Sequence, residues 1–135
     1  MPEDQQMQQQ VQKYQQIQQQ IEQVQEFIQQ VERNIDQMEE TVEAVNDMEN
    51  QEEGSEILAP IGSGVFAVAE LKENSKVVTN IGGEAYQKKD LDTAENVLQK
   101  RLEEMKETQE QLNETVQELN QEMQQIQQQL QQKRQ

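Results

Sequence analysis

The sequence predicts a mainly α-helical protein, a long antiparallel two-helix coiled coil whose helices are joined by two β-hairpins. Two observations predict this fold. Apolar residues recur at alternating spacings of three and four in both end regions, and a Gly- and Val-rich segment lies between these regions. The 135 residues are expected to form one domain, with a first helix over residues 4–50, hairpins over 57–88 and a second helix over 91–133.

The first helix is predicted from an apolar seam that no Gly or Pro interrupts between Glu3 and Glu53. Upstream of residue 21, apolar residues occur at positions 7, 11, 14 and 17, and their one irregular step predicts a local stammer in the coiled coil. From residue 21 onward the seam keeps a regular 3-4 spacing through Ile21, Val24, Ile28, Val31, Ile35, Met38, Val42 and Val45.

The second helix carries a seam of similar length. One 4-4 step predicts a stutter, and Gln109 occupies one seam position. If the middle segment reverses the chain, the two helices lie antiparallel, with Ile21 near Val116 and Met7 near Leu130. The apolar seam positions are Leu91, Ala94, Leu98, Leu102, Met105, Leu112, Val116, Leu119, Met123, Ile126 and Leu130.

The middle segment contains four short runs that predict two β-hairpins. The "GSG" of residues 62–64 separates the first two runs, and the "GG" of residues 82–83 is a two-residue hairpin signal. The run "VFAVAEL" of residues 65–71 is apolar on both faces. Two hairpins are too small to bury both faces by themselves. We therefore expect these strands to pack against other subunits.

The composition agrees with an oligomeric coiled coil and excludes several classes of function. Hydrophobic residues make up 32% and aromatic residues 3% of the chain, too few for a conventional globular core. The net charge of −16 repels nucleic acid and anionic membranes, so neither is an expected partner. Carboxylates that follow one another along a helix point in different directions and are interpreted as solvated surface.

Catalysis is not expected from this sequence. The absence of Cys and His rules out disulfides, thiolate nucleophiles, imidazole chemistry and Cys/His zinc sites. Neither glycine cluster continues into a phosphate-binding motif. We expect no enzyme activity, no cofactor and no metal. The chain has no apolar run long enough to cross a membrane and no signal-peptide pattern at its first residues, so we expect a cytoplasmic location.

The order of these parts resembles the alpha subunit of archaeal-type prefoldin. The resemblance is carried by residues 58–94, with the corner at residues 60–62, the "NIGGEAYQKK" hairpin and the start of the second helix. It implies a prefoldin-like hexamer of two alpha and four beta-type subunits, in which the hairpins assemble into an intersubunit β-barrel. The interface residues are then expected to be Val65, Phe66, Val68, Leu71, Val77, Val78 and Ile81.

The same resemblance implies an ATP-independent holdase chaperone subunit. Such a subunit captures non-native polypeptides at the coiled-coil tips and hands them to a group II chaperonin. An alternative interpretation is a structural or adaptor subunit of another complex, with no client binding of its own. In that case the tip residues would be ordinary seam residues. The tip residues are Met7, Val11, Tyr14, Met123, Ile126 and Leu130.

Overall fold

A computed structural model describes residues 2–134, and it confirms a mainly α-helical fold with two antiparallel hairpins. The elements in chain order are α1 (Pro2–Met48), β1 (Glu56–Gly62), β2 (Val65–Glu70), β3 (Lys76–Gly82), β4 (Ala85–Asp90) and α2 (Leu91–Arg134). The first helix begins and ends two residues earlier than the predicted range of 4–50.

The chain divides into two compact units. The helix-pair unit contains residues up to Ile35 and residues from Glu104 onward, and the hairpin unit contains residues 36–103. The first consists of parts of α1 and α2, and the second contains the remaining parts of both helices and all four strands.

The two helices of the helix-pair unit run antiparallel. Gln10 Nε2 donates a hydrogen bond to Gln129 Oε1 over 3.0 Å. Further along α1, Glu32 Oε1 accepts a hydrogen bond from Gln109 Nε2 over 3.2 Å. A higher residue number on α1 therefore pairs with a lower one on α2, which confirms the predicted antiparallel arrangement.

An apolar seam holds these helices together. Its best-buried cluster consists of Ile17, Ile21 and Ile126, which are only 4–8% exposed. Burying one large aliphatic side chain contributes about 1.5–3 kcal/mol, so a few such residues are enough to join two helices that are otherwise rich in Gln. The partly buried side chains packed against the cluster are Tyr14, Val116, Leu119, Met123 and Leu130.

The predicted stammer is wrong. The seam continues with regular spacing through residues 7, 10, 14, 17 and 21, because Gln10 is half-buried between the helices while Val11 is 43% exposed. Gln10 keeps the heptad phase because Gln forms helices well and its amide nitrogen finds an acceptor on α2. Because Val11 is apolar, it was expected to be the seam residue. In the structure its polar neighbour Gln10 occupies the seam position instead.

In the hairpin unit the strands form two separate sheets, β1 with β2 and β3 with β4. The turns consist of Ser63–Gly64 and Gly83–Glu84, one residue later than the glycine pattern suggests for the second hairpin. Ser63 and Gly83 occupy the left-handed region, with φ of 51° and 56°. A bulge before Gly62 and Gly82 shifts the register in both hairpins.

The helical ends of the hairpin unit also bury an apolar seam. The side chain of Ala94 is only 1% exposed. Leu102 is buried while Arg101 is exposed, which confirms the stutter predicted in α2. The buried residues of this unit are Val42, Val45, Leu71, Leu91, Ala94 and Leu102.

Candidate interaction surfaces

The hairpins present most of the predicted interface residues to solvent. Five of the seven are more than half exposed, one is half-buried and one is buried. Exposed apolar residues grouped in this way are typical of a protein–protein contact. Their role at an interface stays a prediction. The exposed residues are Val65, Phe66, Val68, Val78 and Ile81, the half-buried residue is Val77, and the buried residue is Leu71.

Sequence reasoning omitted further apolar side chains on the same hairpins. Leu58, Ile61 and Tyr86 are 62%, 71% and 64% exposed. Their positions within the β1 and β4 runs were visible in the sequence, but no spacing rule separates an outward residue from an inward one in a hairpin that has no second layer. The exposed surface therefore extends over all four strands.

The second hairpin is held in a defined position. Asn80 Oδ1 accepts a hydrogen bond from the Gly82 amide over 2.8 Å, and Asn80 Nδ2 donates to the Gly83 carbonyl over 3.1 Å. Arg101 Nη2 on α2 donates to the Asn80 carbonyl over 3.1 Å. The turn is thus fixed both internally and against the helix.

An ion pair joins the segment between the hairpins to β4. Lys88 Nζ lies 2.7 Å from Glu73 Oε1. This hydrogen bond lowers the pKa of Glu73 from its ordinary value, partial desolvation opposes the effect, and the charges of Lys88, Lys76 and Lys72 add smaller lowering contributions. Glu73 therefore stays ionised to a lower pH than a free glutamate would.

The tip residues separate into two groups in the structure. Ile126 is buried in the seam cluster, and Tyr14, Met123 and Leu130 pack against that cluster. Val11 is exposed, and Met7 is half-buried like Tyr14, Met123 and Leu130 but is not among the residues packed against that cluster. The role of these residues in client binding stays a prediction, and Val11 on α1 is the tip residue that is exposed.

A groove lies beside the first turns of α1. Its volume is about 520 Å³, and its lining consists of Asp4, Met7, Gln8, Val11 and Gln12. The methionine side chain is flexible and polarisable, so it can adapt to apolar groups of different shape. The groove therefore suits a short apolar segment better than a small polar ligand.

Gln10 makes this part of the seam weaker than its apolar neighbours. Its amide nitrogen is paired with Gln129, but Gln10 Oε1 is buried and has no hydrogen-bond partner among the described residues. An unsatisfied buried acceptor costs about 1–3 kcal/mol relative to its solvated form. The first turns of α1 are consequently easier to separate from α2 than an apolar seam would be.

The described residues contain neither a candidate metal site nor a candidate membrane-spanning helix. Within that part of the chain, no group of three or more acidic side chains is arranged to hold a metal ion. Neither of its helices has the length and apolar character needed to cross a membrane.

Comparison with known proteins identifies the family. A family profile described as prefoldin subunit matches residues 17–135. The chain belongs to the prefoldin family. Prefoldin alpha subunits from archaea are similar to this prefoldin chain, which confirms the resemblance to the alpha class.

The similar relatives match in part of their length. The prefoldin alpha subunit of Thermofilum pendens is 37% identical over 62 residues, which is 46% of this chain and 48% of the relative. That of Methanothrix thermoacetophila is 40% identical over 58 residues, which is 43% of this chain and 38% of the relative. The matching part of this prefoldin chain thus spans about half the length of its curated relatives or less.

A solved structure confirms the fold. The cryo-EM structure of filamentous prefoldin (PFD) from Methanocaldococcus jannaschii superposes with a TM-score of 0.77, covering 84% of this chain and 93% of that chain. The two sequences are 17% identical, so the likeness concerns the backbone arrangement. Two long helices with two small hairpins are therefore a prefoldin fold.

Proposed function

We propose that this chain is an alpha-type subunit of a prefoldin chaperone, acting in the cytoplasm as an ATP-independent holdase with residues 1–135 as one functional domain. The observation that carries the proposal is the exposed apolar surface of the two hairpins in a chain of the prefoldin family. Such a surface requires partner subunits, and membership of the prefoldin family indicates that these partners are other prefoldin subunits.

Assembly would proceed through the hairpins. Each sheet has only two strands, so backbone groups at its outer edges are open to pairing with strands of another subunit. Two alpha-type and four beta-type subunits would close these edges in an intersubunit β-barrel. Burying an exposed side chain such as Leu58 or Val68 contributes about 1.5–3 kcal/mol, and several are needed to offset the cost of association.

Client capture would occur at the groove beside Met7 and Val11. An adaptable apolar groove binds many unfolded sequences weakly, and several copies around one client raise the total affinity without strong individual contacts. The bound polypeptide would then pass to a group II chaperonin. No nucleotide is required for binding of this kind, because release follows from the weakness of each contact.

The test uses the complex formed with a co-expressed beta-type prefoldin subunit. We expect the Met7→Gln, Val11→Gln double variant to assemble normally but to lose most of its ability to suppress aggregation of a chemically denatured client, measured by light scattering without ATP. The control is Phe27→Gln, which removes another exposed apolar side chain of α1. Equal protection by the double variant and the wild-type complex would show that the groove is not the client site.

A structural or adaptor role is the second candidate, and the buried position of Ile126 favours it. Together with Tyr14, Met123 and Leu130, this residue belongs to a closed seam rather than to an open surface. An adaptor would form the same complex, yet the wild-type complex would then fail to slow client aggregation. The light-scattering assay therefore separates the two functions before any variant is made.

A further inference from the structure

The groove beside the first turns of α1 is lined by two rows of side chains. Residues four apart on a helix are neighbours on its surface, so Asp4, Gln8 and Gln12 form one row. Met7 and Val11 form a second row by the same spacing. We call these the polar row and the apolar row. The groove is therefore polar along one side and apolar along the other.

The polar row has hydrogen-bonding groups to offer a ligand. All three of its side chains are exposed. Each glutamine amide has both donors and an acceptor, and the carboxylate of Asp4 is an acceptor. Among the described residues, neither Gln8 nor Gln12 uses its amide in a hydrogen bond and Asp4 forms no ion pair. A bound segment can thus pair with these groups without breaking contacts inside the chain.

The spacing within each row is close to that of an extended polypeptide. Four residues of a helix advance about 6 Å along its axis, and two residues of a strand advance about 6.6 Å. The mismatch of about 0.6 Å per step grows to only about 1.2 Å over the two steps from Asp4 to Gln12. A longer strand would drift out of register, so the groove suits an extended segment of about five residues.

The two rows are also staggered as the side chains of a strand are. Met7 lies three residues beyond Asp4, which places it about 4.5 Å further along the helix axis, and Val11 has the same offset from Gln8. Successive strand residues advance about 3.3 Å and point to opposite sides. The first, third and fifth residues of a bound segment would therefore meet Asp4, Gln8 and Gln12. Its second and fourth residues would meet Met7 and Val11.

Asp4 gives the groove a preference for one sign of charge. It is the charged residue of the lining, and it lies at one end of the polar row. Its carboxylate favours a lysine or arginine at the matching end of a bound segment and disfavours an acidic residue there. The net charge of −16 acts in the same direction at longer range. The groove is therefore complementary to a basic segment.

We propose that this groove selects extended client segments in which two apolar side chains occupy alternate positions and a basic residue lies at one end. This inference rests on the proposed client site at Met7 and Val11 and names the class of segment that the site takes. A helical client segment would not fit, because residues two apart on a helix do not share a face. The site would thus distinguish unfolded, strand-like segments from helices that are already formed.

The experiment measures binding of capped peptides to the complex of this chain with a beta-type subunit. Only the methionines of this chain carry a carbon-13 methyl label, and the NMR signal of Met7, assigned by its loss in Met7→Leu, reports binding at the groove itself. The four peptides are Lys-Leu-Gln-Leu-Gln, Glu-Leu-Gln-Leu-Gln, the neutral Gln-Leu-Gln-Leu-Gln, and Lys-Leu-Leu-Gln-Gln with adjacent leucines.

The alternating peptide with lysine should bind best. At low ionic strength we expect it to bind about threefold or more tightly than its glutamate counterpart. This difference should shrink in 1 M salt, where the screening length falls to about 3 Å. Lys-Leu-Leu-Gln-Gln has the same composition but points its leucines to opposite sides of a strand, so it should bind at least about threefold more weakly. Asp4→Lys should reverse the preference between lysine and glutamate.

Glu3→Lys is the matched control for Asp4→Lys. It makes the same change in charge in the same helical turn, but Glu3 is exposed and lies outside the groove lining. We expect this variant to keep the preference for the lysine peptide. If both variants change that preference equally, net charge rather than the groove sets it, and the proposal is wrong. Equal binding of the two lysine peptides would equally overturn it, because the extended geometry would then have no effect.

The neutral peptide separates this inference from the proposed client site. If the Met7 signal responds alike to all four peptides, the client site stands and the selection of alternating basic segments is overturned. If the signal responds to none of them, both proposals are wrong. A response to the neutral peptide that is strengthened by lysine and weakened by glutamate supports both.

Discussion

The helices of the helix-pair unit and the strands of the hairpin unit differ in how far their apolar residues are shielded from solvent. In the first, Ile17, Ile21 and Ile126 are shielded from solvent by the chain's own helices. In the second, Leu58 and Val68 are more than 60% exposed although they lie in well-paired strands. The helix pair shields these apolar side chains within the chain, and the strands leave theirs exposed to solvent.

This difference predicts that substitutions can alter stability and the proposed assembly separately. Substitutions in the seam should change the free energy of unfolding, because they alter contacts inside the chain. Substitutions on the hairpin faces should change association, because those side chains have few contacts to lose in the isolated chain.

The largest effect is expected from Val68→Asp. A carboxylate placed in an apolar interface without a partner costs several kcal/mol, so assembly with the beta-type subunit should be lost while helical content is retained. Mass measurement of the complex and circular dichroism check the two halves of this prediction. Gln23→Asp, which adds the same charge at an exposed helical position, should assemble normally. A complex of unchanged mass in Val68→Asp would contradict the assignment of this face to an interface.

Ile17→Ala should lower the stability of the fold without preventing assembly. Truncating a seam residue that is 4% exposed should lower the free energy of unfolding by about 2–4 kcal/mol, measured by denaturant unfolding, while assembly at low denaturant persists. Gln18→Ala, at the exposed neighbouring position, should change stability by less than about 0.5 kcal/mol. If Ile17→Ala and Gln18→Ala unfold at the same denaturant concentration, burial of Ile17 in the seam does not stabilise this unit.

Gln10→Leu should stabilise the helix-pair unit by about 1 kcal/mol, because it replaces a buried amide that has an unsatisfied oxygen. The midpoint of thermal unfolding reports the gain. Gln9→Leu makes the same chemical change at an exposed position and should not raise the midpoint. A lower midpoint for Gln10→Leu than for the wild type would mean that the pair with Gln129 contributes more than the unpaired oxygen costs.

The smallest effect concerns the Glu73–Lys88 pair. Since the pKa of Glu73 is lowered in the folded chain, the pair stabilises the fold above the ordinary glutamate pKa of 4.5, and the stabilisation is lost as the pH falls through the lower folded value. In Lys88→Gln the pKa of Glu73 should rise toward 4.5, measured by NMR titration of its carboxyl carbon. Lys72→Gln, which removes the charge with the smallest lowering contribution, should raise it less. An unchanged pKa in Lys88→Gln would exclude the pair in solution.

The helices were predictable because their seam is a repeated local signal. A period of 3.5 residues fixes which side chains meet, and the burial of Ile21, Val31 and Ile35 follows that period. The seam position of Gln10 was missed because the apolar residue Val11 was preferred over its polar neighbour. Continuing the heptad phase from Ile17 toward residue 7 would have identified it.

The hairpins were predictable in number but not in detail. Glycine at residues 62 and 82 indicated turns, yet both residues belong to strands next to bulges, with φ of 132° and 141°. Which hairpin face stays exposed could not be predicted, because the alternation of side chains along a strand does not say what packs against either face. The matching register of the two hairpins is foreshadowed by the 20-residue offset between "SEILAPIG" and "SKVVTNIG".

The polar pairs across the seam restrict how the length of the helices can change. Inserting one residue in a Gln-rich tract would rotate everything beyond it by about 100°, which moves the seam away from its partner helix. Removing seven residues from α1 alone would leave the apolar seam facing α2. Gln10 would then lie opposite a different residue of α2 and would lose its hydrogen bond to Gln129. The Gln tracts have little variety in composition, yet only matched, heptad-sized changes in both helices preserve the alignment.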